Sequence, residues 1–285
     1  MDTQEQFENV SNEAGSSLSR EVLDDVVGMA WQRDAQAKVA DSTSKKDSSE
    51  KEPLKIIENP SPNHSSRDGQ PISSLVLHYT AEPEAQALRH LCDPKAGVSA
   101  HYLVGVDGTI WHLVDESEGA WHAGYSYWNG RNRLNPSSVG IEIANMGNEP
   151  FPEAQMKAVA ALSKDIIQRN NISPTQVVGH SDIAATSKNH KIDPGWFFDW
   201  KGLAAQGIGI WPEPTQSDYE VSRNWSNAEL KQKLIDYGYT AEAELPALIG
   251  AFQRHFQPEV QKTGKEGVAD AETRARLAWL LRNKS

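Results

Sequence analysis

The sequence predicts an α/β fold, a central sheet flanked by helices, followed by a small C-terminal three-helix domain. Three observations predict it. Residues 53–212 interleave short apolar runs with amphipathic helical stretches, the pattern of a sheet covered by helices. An Asp107-Gly108 pair separates two apolar runs, the signal of a hairpin. Residues 218–285 carry helical periodicity only.

Residues 1–52 stand apart. "SREVLDDVVGMAWQRDAQAKV" places Val22, Leu23, Val26, Val27, Ala30 and Trp31 at helical spacing, which predicts one amphipathic helix within residues 18–40. "ADSTSKKDSSEKEP" is charged and aperiodic and reads as a flexible linker. In the next segment, "SSLVLHYT" suits a buried strand, "PEAQALRHLCD" a helix, and "SAHYLVGVDGTIWHLV" two strands about the Asp-Gly turn. "SVGIEIAN" is a strand, and "EAQMKAVAALSKDIIQRN" is a helix with Met156, Val159, Leu162, Ile166 and Ile167 on its apolar face. "TQVVGH" reads as a strand ending in His180. "WPEPTQS" (211–217) is a Pro-rich linker. Beyond it come "NAELKQKLIDYGYT", "LPALIGAFQRHFQP", and "DAETRARLAWLLRN" with Asp270 as its N-cap. Three short helices in such a length lie near the lower limit for a self-standing core.

Composition excludes several classes of function. The net charge is -11, with 39 acidic against 28 basic residues, so nucleic acid is not the expected partner. Cys92 is the single cysteine: no internal disulfide can form, and any metal must be held by histidines and carboxylates. No apolar run reaches transmembrane length. "MDTQEQFENV" lacks the basic and apolar regions of a signal peptide. A cytoplasmic location is therefore expected, with the periplasm or cell envelope, or export by a non-classical route, as the alternative. The nine tryptophans include Trp111, Trp121 and Trp128, which suit either a carbohydrate-facing surface or an aromatic core.

The chemistry concentrates at strand ends. His78 ends one apolar run and His180 another, and strand ends of an α/β sheet are where sites are built. "VGHSDIAATSKNHKIDPG" (178–195) packs two histidines, two lysines and two aspartates together, as a polar surface loop or as one wall of a metal site. Glu142 sits in the apolar strand "VGIEIAN", where burial is costly without a salt bridge or a catalytic task.

The blocks "SLVLHYT", "VSAHYLVGVDGTIWHLV", "AWHAGYSYW", "NPSSVGIEIAN" and "VGHSDIAATSKNHKIDPG" occur in that order. Over about residues 54–212 the chain resembles the zinc-dependent N-acetylmuramoyl-L-alanine amidases of the AmpD/AmiD type (amidase family 2), which share a fold with peptidoglycan recognition proteins. Residues 218–285, through "AFQRHFQP" and "GVADAETRARL", resemble the helical peptidoglycan-binding module appended to many such enzymes. The resemblance implies a central mixed sheet flanked by helices and a peptidoglycan or muropeptide substrate. It implies a Zn2+ ion held by His78, His180 and Asp193, with Glu142 as general base and Lys191 as oxyanion cation. It implies substrate contacts from His122, its neighbour Trp121, and Asn145. The join "ATSKNHK" is longer than the family's "PGRK"-like one and brings in His190, an alternative third ligand. Asp182 is then expected to shape the loop or support a ligand from behind. A metal-free peptidoglycan receptor and a zinc peptidase cutting within the stem peptide are the competing functions.

Overall fold

The computed structural model describes residues 54–185 and 190–284; the helix expected in residues 18–40 lies outside them. Along the chain come β1 (Ile56–Glu58), β2 (His64–Ser66), β3 (Ser74–Tyr79), α1 (Glu84–Leu91), β4 (Tyr102–Val104) and β5 (Ile110–His112). Next are β6 (Glu118–Ala120), β7 (Tyr127–Trp128), β8 (Arg131–Asn132), β9 (Ser138–Ile143) and α2 (Glu153–Asn170). Then come β10 (Val177–Gly179), α3 (His180–Ile183) and α4 (Trp200–Ala204). The C-terminal helices are α5 (Gln216–Ser222), α6 (Asn227–Tyr237), α7 (Leu245–Phe256) and α8 (Ala271–Arg282).

Six strands form a mixed sheet in the order β1-β5-β4-β9-β3-β10. β9, β3 and β10 run parallel at one side, and β4 pairs antiparallel with β5. β3 is buried on both faces, which is why it reads as one continuous apolar run. Leu75 and Leu77 join Val139, Ile141, Val159, Leu162 and Ile166 in the layer under α2. Val76 points the other way, into a cluster with Val178, Ile183 and Trp128. Side chains alternate along a strand, so His78 leaves the sheet on the Val76 face. Asn171, in the left-handed conformation at φ 51°, ends α2.

That second cluster also contains Leu230, Leu234, Tyr237, Tyr239, Phe252, Phe256 and Leu277 from the C-terminal helices. Residues 53–285 form one compact unit, so these helices complete the core on the Val76 face of the sheet. Trp128 meets Tyr239 edge-to-face at 5.0 Å, and its indole N–H donates to the Thr175 carbonyl at 3.1 Å. Four helices stand where three were expected. The additional α5 begins where Asp218 accepts from the Thr215 N–H and hydroxyl, both at 2.8 Å, a capping arrangement inside the expected linker. No helix of the described residues is long and apolar enough to cross a membrane.

A buried polar knot ties β9 to the loops beside it. Arg67 donates to the carbonyls of Pro136 and Ser138 at 2.8 and 3.0 Å, and its Nη2 lies 2.9 Å from His101 Nε2. The Gly140 N–H donates to His101 Nδ1 at 3.0 Å. Burial, then the Arg67 charge, pushes His101 down to about 4. Its unfolded value is near 6.5, so the unfolded chain binds the extra proton first. This group's stabilisation is therefore complete above pH 6.5 and is lost as pH falls toward 4, by about 3 kcal/mol. Urea midpoints measured between pH 7 and pH 4 should fall accordingly, and a His101→Gln chain should lose about one proton's worth of that slope. An unchanged slope would contradict a neutral buried His101.

Candidate metal centre

His78 on β3 stands beside Glu142 on β9 in the parallel register, so both side chains leave the sheet on the same face. β10 delivers the next residue. Gly179 is extended at its end and its N–H donates to the Asp182 carboxylate at 2.8 Å, so the chain turns into α3 at His180. His180 thus opens a helix instead of ending a strand: the carboxylate three residues on caps that turn. The chain then returns beside β10, where the Ser181 N–H donates to the Asp193 carbonyl at 2.9 Å. A Cβ at Gly179 would lie 2.7 Å from Pro194 Cδ, so glycine is what lets the two segments approach.

Together these elements bring three donor atoms to one point. His78 Nδ1, His180 Nδ1 and Asp193 Oδ2 are mutually 3.1 Å apart. All three residues are buried, and among the described residues they form the His/Cys/Asp/Glu group able to hold a metal ion. Burial pushes His78 down to about 4. Burial alone would raise Asp193, but His180 above all overcomes it and holds the carboxyl well below the usual range. His190 is not in the triad: it pairs in an isolated bridge with Ala185 and lies 3.4 Å from Arg254 Nη2.

A directional chain of hydrogen bonds stands behind His78. The Ser138 hydroxyl has one proton, given to the Leu134 carbonyl at 2.7 Å, so it accepts from His122 Nε2 at 3.1 Å. His122 Nδ1 must then accept from His78 Nε2 at 3.0 Å. This leaves a lone pair on His78 Nδ1, facing His180 and Asp193. His122 itself is buried, and burial followed by the nearby His78 holds its imidazole well below its ordinary value.

His180 and Asp193 of the triad line a cleft of about 370 Å³ together with His122, His190, Glu142, Lys191, Trp121, Glu82 and His90. Glu142 Oε2 is buried without a hydrogen-bond partner among the described residues. Burial first, and the Asp193 charge second, push its carboxyl up to about 8, while Lys191 pulls the other way. Trp121 is half-buried at the cleft, its indole N–H donating to Ser65 Oγ at 3.2 Å. Of the other tryptophans, Trp128 is core and Trp111 donates to Glu84 at 2.9 Å. Asn145 does not line the cleft. Its Oδ1 accepts the Gly147 N–H at 2.7 Å and its amide donates to the Glu149 carbonyl at 3.4 Å, so it closes its own turn. Glu82 and His90, paired at 3.1 Å, had no signal in the sequence. Ser138 had none either, whereas Gly140 in the middle of an apolar strand did.

Residues 68–196 match the family model described as N-acetylmuramoyl-L-alanine amidase. The chain is 40% identical over 236 residues to the N-acetylmuramoyl-L-alanine amidase AmiD of Escherichia coli (strain K12), covering 74% of this chain and 82% of that one. It is 35% identical over 151 residues to the 1,6-anhydro-N-acetylmuramyl-L-alanine amidase AmpD of Haemophilus influenzae, covering 46% of this chain and 80% of that one. Among solved structures, it superposes on E. coli AmiD in complex with the substrate anhydro-N-acetylmuramic acid-L-Ala-D-gamma-Glu-L-Lys. The TM-score is 0.67 at 37% identity, over 78% of this chain and 98% of that one. AMPDH3 from Pseudomonas aeruginosa in complex with anhydromuramic pentapeptide gives 0.66 at 32% identity, over 79% and 96%.

The seat of His122 depends on Gly140, where a Cβ would lie 2.4 Å from the imidazole ring. Gly140→Ala should cost about 1–3 kcal/mol in urea denaturation, the usual effect of overpacking. It should also weaken metal binding about 10–100-fold, because His122 can no longer orient His78. Metal affinity equal to the parent's would deny His122 that role.

Proposed function

The chain belongs to the N-acetylmuramoyl-L-alanine amidase family, and on that premise we propose that it hydrolyses the amide between N-acetylmuramic acid and L-alanine with a zinc ion held by His78, His180 and Asp193. The observation that carries this is the 3.1 Å triangle of donors beside Glu142 in an open cleft. The donor set suits zinc. Bonds of about 2.0–2.1 Å at tetrahedral angles separate ligand atoms by roughly 3.3 Å, and three protein ligands leave the fourth position to the reaction. Hard cations such as magnesium prefer all-oxygen sites, which two imidazoles do not make.

Bound there, zinc supplies Lewis acidity, lowering the pKa of a water and polarising the scissile carbonyl. Glu142 is the group that takes the proton from the attacking water and returns it to the leaving amide nitrogen. Its elevated affinity for protons suits both halves of that transfer, and Lys191 keeps its charged form accessible. Lys191, at the same cleft, is placed to neutralise the negative charge that develops on the carbonyl oxygen. Trp121 offers an aromatic face to the substrate at the cleft wall. His122 orients His78 and also lines the cleft, and Asn145 shapes the turn after β9.

Digestion of defined muropeptides followed by mass spectrometry tests this reading. It should release an intact stem peptide beginning at L-alanine, stop under a zinc chelator and resume on adding zinc. Glu142→Gln should retain zinc while its kcat falls about 10²–10⁴-fold. Cleavage inside the stem peptide, or a Glu142→Gln chain within tenfold of the parent, would overturn the bond assignment or the base.

A further inference from the structure

Asp182 follows His180 by two residues and is enclosed. Its Oδ2 accepts the Gly179 N–H and His255 Nδ1–H, both at 2.8 Å, and its Oδ1 accepts the Tyr239 hydroxyl at 2.7 Å. Tyr239 follows α6 and His255 lies on α7. The His255 ring is stacked between Trp200 and Phe256, with centroids 3.8 Å away on each side and interplanar angles of 22° and 7°, so it cannot swing off Asp182. The neighbouring Arg254 is also buried. It lies over the Trp196 ring at 5.8 Å and reaches His190, at the far end of the same segment.

These contacts bear directly on the metal centre. The turn from β10 into α3 runs through a glycine, the most conformationally permissive residue. Alone, such a turn would not hold His180 to within a few tenths of an ångström. A buried carboxylate with three donors is costly to disrupt, and it fixes the residues on either side. One of these, Ser181, holds the Asp193 backbone. The same helix thereby touches both limbs of the loop that carries two of the three donors.

We infer that Tyr239 and His255 are positioning residues for the metal centre, so that the C-terminal helices set metal affinity and turnover through Asp182. The inference rests on the zinc reading of His78, His180 and Asp193. It gives these helices a task at the reaction centre in addition to any contact they make with the cell wall.

The test uses the full chain. Tyr239→Phe deletes one hydroxyl, and His255→Phe keeps the aromatic stack while deleting the donor. His255→Gln restores a donor. Zinc affinity is measured by chelator competition, the visible spectrum is recorded with cobalt in place of zinc, and kcat and KM are determined separately. Each deletion should weaken zinc binding about 10-fold and the pair about 100-fold. The cobalt bands should shift, kcat should fall with KM nearly unchanged, and His255→Gln should recover part of the loss. Zinc affinity, cobalt bands and kcat all within twofold of the parent would overturn the inference even if the melting temperature fell, because that pattern marks a purely structural anchor. A parent that binds about one zinc, beside a His78→Ala chain that binds none, shows that such a failure belongs to the coupling alone. A parent that binds none defeats the zinc reading and this inference together.

Discussion

A carboxylate buried 3.1 Å from two imidazole nitrogens is the constraint around which the rest of the structure is arranged. Taking such a charge out of water costs several kcal/mol unless nearby donors or a cation compensate it. The compensation works only if three segments distant in sequence converge to within hydrogen-bond distance. Glycine supplies the close approach twice. Gly179 admits Pro194 and Gly140 admits the His122 ring, and a Cβ at either position would lie within 2.7 Å of its neighbour. Around these contacts, hydrogen bonds of fixed direction orient the rings: Ser138 to Leu134 settles His122, and His122 settles His78.

Two carboxyl groups share the cleft, and their surroundings push them apart. The His180 imidazole holds Asp193 low, whereas Glu142, buried with an oxygen unpartnered among the described residues, is raised to about 8. Carboxyl groups separated in this way take different tasks, one as a permanent anion and the other as a group that accepts and gives protons. The sheet makes that separation possible by placing Glu142 level with His78 on the next strand while the loop carries Asp193.

Much of this was legible in the sequence because it depends on local pattern. Alternation and apolar runs marked β3, β9 and α2, and the order of five blocks pointed to the family and to the residues His78, His180, Asp193, Glu142 and Lys191. Other features were not legible because they depend on tertiary context. Nothing local shows that His122, besides lining the cleft, also hydrogen-bonds His78. Nor does spacing show that the Asn145 amide is engaged by its own turn. The C-terminal helices read as a small separate domain because their apolar faces give no address. The structure shows those faces packed on Val76, Val178 and Ile183, which resolves the question of how so short a segment acquires a core. Asp182 could be suspected of a supporting role, but its partners Tyr239 and His255 lie 57 and 73 residues away, beyond the reach of any spacing rule.

The proposed zinc ion lies among His78 Nδ1, His180 Nδ1 and Asp193 Oδ2. Anomalous diffraction at the zinc edge, on crystals of the full chain grown with zinc, tests it most directly. A single strong peak is expected within about 2.0–2.2 Å of those three atoms, with His78 ligating through Nδ1 and its Nε2 directed at His122. No peak at this position, or a peak bound through Nε2 of His78, would contradict it.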